Sequence, residues 1–164
     1  MNYLENMDTF KQAIEKAKEF GACEDAIYEL ERIKTIEEFK KHEDAPYWCY
    51  WFARKLERRC NEFEPIIKNS PYYSFIYVQY IIKERCEEFE PSIKNSPYHS
   101  FLYVRDIIKK RCEGFEPSIK TSAEDSYYYV KDIIKERCEE FEPIIKKDAD
   151  YWDKYKNCFK IKGI

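Results

Sequence analysis

Apolar positions along much of this chain follow the 3.6-residue period of an amphipathic helix. In residues 70–86, Phe75, Val78, Ile82 and Cys86 fall on one face, and Tyr77 and Ile81 widen it. Tyr72 and Ile76 carry the apolar surface almost around the helix, so neighbours are expected on both sides. Ser70-Pro71 opens this helix A, because the hydroxyl caps a free amide and proline fits the first helical position. Residues 87–95 then form a short partner helix B, acidic at its start and closed by Lys94, in keeping with the helix dipole. Pro91 is confined to the first turn, which leaves Phe89 and Ile93 as the buried pair.

The unit recurs. Arg59-Cys60, Arg85-Cys86, Arg111-Cys112 and Arg137-Cys138 each precede a Phe-Glu-Pro, and the cysteines are 26 residues apart. A fixed period of this size indicates stacked copies of one supersecondary unit. The expected A helices cover 45–59, 71–85, 97–111 and 123–137, each followed by a helix B. The expected fold class is all-α, a short α-solenoid of stacked helical hairpin repeats over 45–146. An acidic helical N-terminal cap is expected over 1–44, with helices at 8–20, at 24–33 and after the capping box at 35–38. A C-terminal capping helix is expected over 147–164, where Lys154, Lys156 and Lys160 interrupt the apolar face. No segment alternates as a strand does.

Composition sharpens this picture. Fifteen Tyr and 11 Phe against 3 Gly imply aromatic packing and tight loops. Residues 1–44 hold 12 acidic and 7 basic side chains, and 45–164 hold 20 and 22. On net charge the repeats are neither a basic nucleic-acid platform nor an acidic DNA mimic. The odd total of 7 cysteines, the absence of a signal-peptide pattern and apolar runs too short for a membrane lead to the expectation of a reduced, cytoplasmic protein with no membrane partner.

Residues 75–83, 101–109 and 127–135, with each Phe-Glu-Pro-x-Ile-Lys, resemble the short tandem α-hairpin repeats of phage, giant-virus and bacterial proteins of unknown function. The likeness covers about 45–146 and departs in having Cys after the Arg. It implies an α-solenoid and a mobile-element origin, and it carries over no activity or site residue.

Four columns carry the candidate chemistry. Cys60, Cys86, Cys112 and Cys138 sit too far apart in a stack for a shared metal or a disulfide, and read as small buried side chains. Arg59, Arg85, Arg111 and Arg137 lie where a helix end favours cations, and each can fork onto Glu64, Glu90, Glu116 or Glu142 five residues on. The alternative is a basic ladder that faces a ligand. Lys68, Lys94, Lys120 and Lys146 read as solvated. Trp51, Tyr77, Tyr103 and Tyr129 read as packing between repeats, with base stacking as the alternative.

A repeat that holds its packing constant leaves the varying positions for recognition. Tyr80, Asp106 and Asp132 share one such position, Gln79, Arg105 and Lys131 the next, and Tyr73, His99 and Asp125 a third. The partner-binding candidates are therefore Tyr73, Gln79, Tyr80, His99, Arg105, Asp106, Lys131 and Asp132. With two histidines, scattered glycines and no nucleophile constellation, no catalytic, cofactor or metal site is expected. The functional expectation is a non-catalytic protein-binding module, which the resemblance extends to a mobile-element inhibitor of a host protein complex. The alternative is a single-stranded RNA binder using exposed tyrosines and the Arg column.

Overall fold

Ser70, Ser96 and Ser122 begin the same helix three times, each hydroxyl accepting the backbone N–H three residues on at 3.4, 3.4 and 3.2 Å. In the computed structural model, which describes residues 2–161, every regular element is helical. Residues 162–164 of the expected C-terminal cap lie outside the described residues. The fold is an all-α helical repeat.

The chain divides into two compact units, Met1–Ile81 and Ile82–Ile164. The first holds α1 (Met7–Glu19), α2 (Glu24–Arg32) and α3 (Ile36–Lys41), then the first repeat, α4 (Ala45–Leu56) and α5 (Glu64–Ile67), and α6 (Pro71–Tyr77). Asn6 and Thr9 close a reciprocal capping box on α1. At α3, Thr35 caps the Glu38 amide at 3.1 Å, but the Glu38 carboxylate accepts the Lys34 N–H, one residue further out than a capping box requires. Phe10, Phe39, Trp48, Phe52 and Phe63 form the core of this unit, and Tyr3 joins it with its ring 5.1 Å from that of Phe52.

The second unit holds the short helices α7 (Glu90–Ile93), α9 (Glu116–Ile119) and α11 (Glu142–Ile145), and the longer α8 (Pro97–Tyr103), α10 (Ala123–Tyr129) and α12 (Ala149–Phe159). Helices α8, α10 and α12 neighbour one another in order. Single 3₁₀ turns, Glu87–Phe89 and Glu113–Phe115, lead into α7 and α9. Phe89, Phe115, Phe141, Ile93, Ile119 and Ile145 are fully buried, as the 26-residue pattern requires. Each such side chain contributes about 1.5–3 kcal/mol of burial, enough to dock a helix only one turn long. Ser100 and Ser126 are also fully buried, and their hydroxyls donate to the carbonyls of Ile93 and Ile119 at 3.3 and 3.1 Å. These bonds fasten each helix A to the helix B before it.

The A helices end earlier than their apolar pattern. Each of α6, α8 and α10 passes into a π-helical turn, Val78–Ile82, Val104–Ile108 or Val130–Ile134. The amides of Lys109 and Lys135 reach back five residues to the Val104 and Val130 carbonyls at 2.7 Å. Glu57, Lys83, Lys109 and Lys135 then take positive φ and turn the chain out of the helix. Cys86 and Cys112 are extended, at φ −132° and −139°. The expected helical ends at 59, 85, 111 and 137 are thus corrected by three residues. The apolar pattern misleads because the cysteine is buried from an extended strand-like connector, not from the helix face. Ile81, Ile82, Ile107, Ile108, Ile133 and Ile134 are consequently half-exposed.

Candidate functional site

Each helix B begins with a glutamate whose carboxylate points inward. Glu64, Glu90, Glu116 and Glu142 are only 4–6% exposed. A carboxylate so buried requires an ionic partner and full hydrogen bonding. The extended connector supplies it: the Nε atoms of Arg85, Arg111 and Arg137 donate to Glu90, Glu116 and Glu142 at 2.7 Å, and Arg59 forks onto Glu64 with both nitrogens. The Arg column is therefore a structural pairing. It acts from the connector and not from a helix end, since the helix has already closed.

The Lys column is not simply solvated, as the sequence pattern suggested. Lys94, Lys120 and Lys146 lie 3.5, 3.3 and 3.3 Å from Glu90, Glu116 and Glu142, one helical turn back. Each also caps an aromatic face of the following repeat, over Phe115, Phe141 and Trp152 at 4.6, 4.4 and 4.5 Å. Burial pushes the Glu116 carboxyl up, but Arg111 and then Lys120 outweigh it and hold it below the ordinary carboxylate range. Arg137, followed by Lys146, does the same for Glu142.

The aromatic column is spent inside the protein. Tyr77, Tyr103 and Tyr129 are fully buried. Their phenols accept the backbone N–H of Cys60, Cys86 and Cys112 at 2.8, 2.9 and 3.0 Å. Tyr155 does the same for Cys138 at 2.9 Å, so α12 keeps the column although its lysines hide it in the sequence. Trp51, the first member, has no hydroxyl; it is half-buried under the Lys55 ammonium. Burial pushes the Tyr103 and Tyr129 phenols up to about 12, against the donated amide. Cys60, Cys86 and Cys138 are buried and Cys112 is half-buried. Burial pushes the Cys60 thiol up to about 11.

The varying positions divide between the two units. In the first, Tyr73 is half-buried in a tyrosine cluster, its ring 5.8 Å from Tyr47, 6.1 Å from Tyr50 and 4.9 Å from Tyr72. Tyr80 is exposed with the Arg54 guanidinium over its ring at 5.1 Å, and Gln79 beside it is half-exposed. Tyr47 and Tyr72, which the repeat comparison did not select, are exposed in the same cluster. Their signal was available, since neither falls at the centre of the apolar stripe.

In the second unit the charged candidates are partly committed to one another. Arg105 forks onto Asp106 at 2.6 and 2.9 Å and lies over Phe101 at 5.3 Å. Asp106 above all, and Asp132 more weakly, hold its guanidinium charged. Lys131 is exposed above Tyr127 and Tyr128, at 5.9 and 5.7 Å, and Asp132 is half-exposed. His99 is half-buried with Nδ1 2.9 Å from the Ser96 hydroxyl. Burial lowers its pKa, against the pull of Asp125. Asp125 itself is buried, so this third position varies inside the protein and not on its surface.

One feature of the first unit has no counterpart in the repeat pattern. A cavity of about 290 Å³ lies among α1, α2, α3 and α4, lined by Phe10, Ala17, Leu30, Trp48 and Phe52, with the Cys23 and Cys49 thiols at its wall. It offers no acid–base pair. Compared with protein-family models, curated proteins and solved structures, the chain matches none. Among the described residues no helix is long and apolar enough to cross a membrane.

Proposed function

We propose that this protein is a non-catalytic helical-repeat module that binds a protein partner through the exposed, varying positions of its A helices. The observation that supports this most is the division between constant and varying positions. Tyr103, Tyr129, Phe115 and Phe141 are buried and repeat unchanged, while Tyr80, Arg105 and Lys131 are exposed and differ from copy to copy. A partner with an irregular surface meets different side chains in successive repeats. Tyr72, Tyr80 and Tyr98, at 49, 45 and 55% exposure, add the amphipathic rings in which protein interfaces are enriched.

The RNA reading needs one residue repeated at every step. The repeated tyrosines are buried and the Nε of each repeated arginine is given to a glutamate, which takes the tyrosines and one arm of each arginine away from that reading. The resemblance to mobile-element repeats extends the proposal to an inhibitor of a host protein complex in the cytoplasm.

Affinity capture from host extract, with and without nuclease, tests the proposal. Tyr80→Ala in the first unit and Lys131→Glu in the second should each reduce recovery of a discrete protein by about tenfold, or about 1.4 kcal/mol, with unchanged circular dichroism and no effect of nuclease. Undiminished capture by both variants, or capture that nuclease removes, would overturn it.

A further inference from the structure

One repeat junction carries a carboxylate contact that the junction before it lacks. Between the third and fourth repeats, Glu140 reaches back to the preceding copy. Its Oε2 accepts Arg111 Nη2 at 3.1 Å and lies 3.6 Å from Lys120 Nζ. One period earlier the same place holds Gly114. A Cβ built there would meet Lys94 Nζ at 3.7 Å, an ordinary contact, and Gly114 carries no positive φ. Backbone geometry therefore does not demand glycine. Its effect is to withdraw a carboxylate.

The bases that such a carboxylate would meet are still in place. Arg85 gives its Nε to Glu90, and Lys94 sits 3.5 Å from the same acid, as Arg111 and Lys120 sit around Glu116. What differs is the second arm of the guanidinium. Arg111 Nη2 donates to Glu116 at 3.3 Å and to Glu140 at 3.1 Å, whereas Arg85 Nη2, among the described residues, lies 3.7 Å from Glu87, beyond hydrogen-bond distance. The Arg85 and Lys94 side chains are 46 and 35% exposed, so the opening is reached from solvent.

We infer that the notch over Gly114 is a carboxylate-binding site, formed by Arg85 and Lys94, that accepts an aspartate or glutamate side chain of a protein partner. The chemistry is the one this chain uses one repeat later: a carboxylate bridging guanidinium and ammonium, planar on the Arg side and charge-paired on the Lys side. The source of that side chain rests on the protein-partner reading. The notch itself does not, because its preference can be measured with a capped amino acid.

The test is a titration of the isotopically labelled full chain in low-salt buffer, where exposed pairs are least screened, following the Arg85 Nε–H resonance. N-acetyl-glutamate methylamide should shift it saturably, and N-acetyl-glutamine methylamide should not. Gly114→Glu, which supplies that carboxylate, should remove the response. Gly114→Ala, which adds only the Cβ, should keep it. Glu140→Gly should open a second site, with a new saturable shift at the Arg111 Nε–H. A shift that survives Gly114→Glu, an equal response to the glutamine probe, or no second site in Glu140→Gly would overturn the proposal. Inorganic phosphate acting at about tenfold lower concentration would overturn the assignment to a carboxylate. A negative titration removes the notch and leaves the partner reading to the Tyr80 and Lys131 variants.

Discussion

The phenol oxygen of Tyr103 accepts the backbone N–H of Cys86 at 2.9 Å, and the same bond recurs wherever a helix A follows an Arg-Cys connector. It explains two features together. The helix has to end early so that the cysteine amide can turn away from its own helix, and the tyrosine has to be buried to reach it. Tyr103→Phe keeps the ring and leaves that amide without a partner in the interior. The expected cost is about 1–3 kcal/mol, read from chemical denaturation, with faster hydrogen exchange at the Cys86 amide. Unchanged exchange at Cys86 would show that the bond does not hold the junction.

Phe89 is fully buried at the entrance to α7, a helix of 4 residues. So short a helix has no stability of its own, and the ring holds it in place. Phe89→Ala should cost about 3–5 kcal/mol. A loss below about 1 kcal/mol in an equilibrium melt would mean that this helix is anchored by something else.

Lys109 stands at φ +59° where the π-helical turn closes. A side chain in that region is strained, and glycine is not. Lys109→Gly should therefore stabilise the protein by about 0.5–1 kcal/mol, reduced by the greater freedom of glycine in the unfolded chain. The denaturation midpoint should rise; a fall would show that the Lys109 side chain makes a contact worth more than the strain.

Glu116 and Glu142 have carboxyls held below the ordinary range by their Arg and Lys partners. A lowered pKa in the folded state means that the unfolded chain binds the proton more readily. The stability from these pairs is complete above the ordinary glutamate value of about 4.3 and is lost as the pH falls through the lower folded values. Denaturation midpoints should drop steadily below about pH 4, and Glu142→Gln should flatten that dependence. A flat acid limb in the parent protein would contradict the assignment.

The 26-residue period, the helix starts at Ser70, Ser96 and Ser122, and the buried Phe and Ile of helix B were all legible in the chain. Each depends on neighbours in sequence: a cap, a proline that fits only a first turn, or an apolar pair at helical spacing. The Arg–Glu pairing was legible for the same reason, with five residues between partners. The candidate surface was only half legible. Repeat comparison separates varying from constant positions, but Asp125 varies inside the protein, and Arg105 is paired with Asp106.

Tertiary structure decided the rest. Periodicity continued through Ile82 and Cys86, yet the helix stops before the cysteine because the Cys86 amide binds a phenol 17 residues away. No local pattern encodes a partner at that separation. Lys94, Lys120 and Lys146 looked solvated because sequence shows their charge and not the ring from the next repeat that they cover. The gap over Gly114 is likewise invisible as a lone glycine, and becomes a site only when Arg85 and Lys94 stand where the neighbouring pair holds Glu140. Sequence by itself determined the repeat, the helix starts and the buried Phe and Ile of helix B; packing between repeats determined where helices end and which charges remain unmatched, because both depend on atoms brought together across a whole repeat.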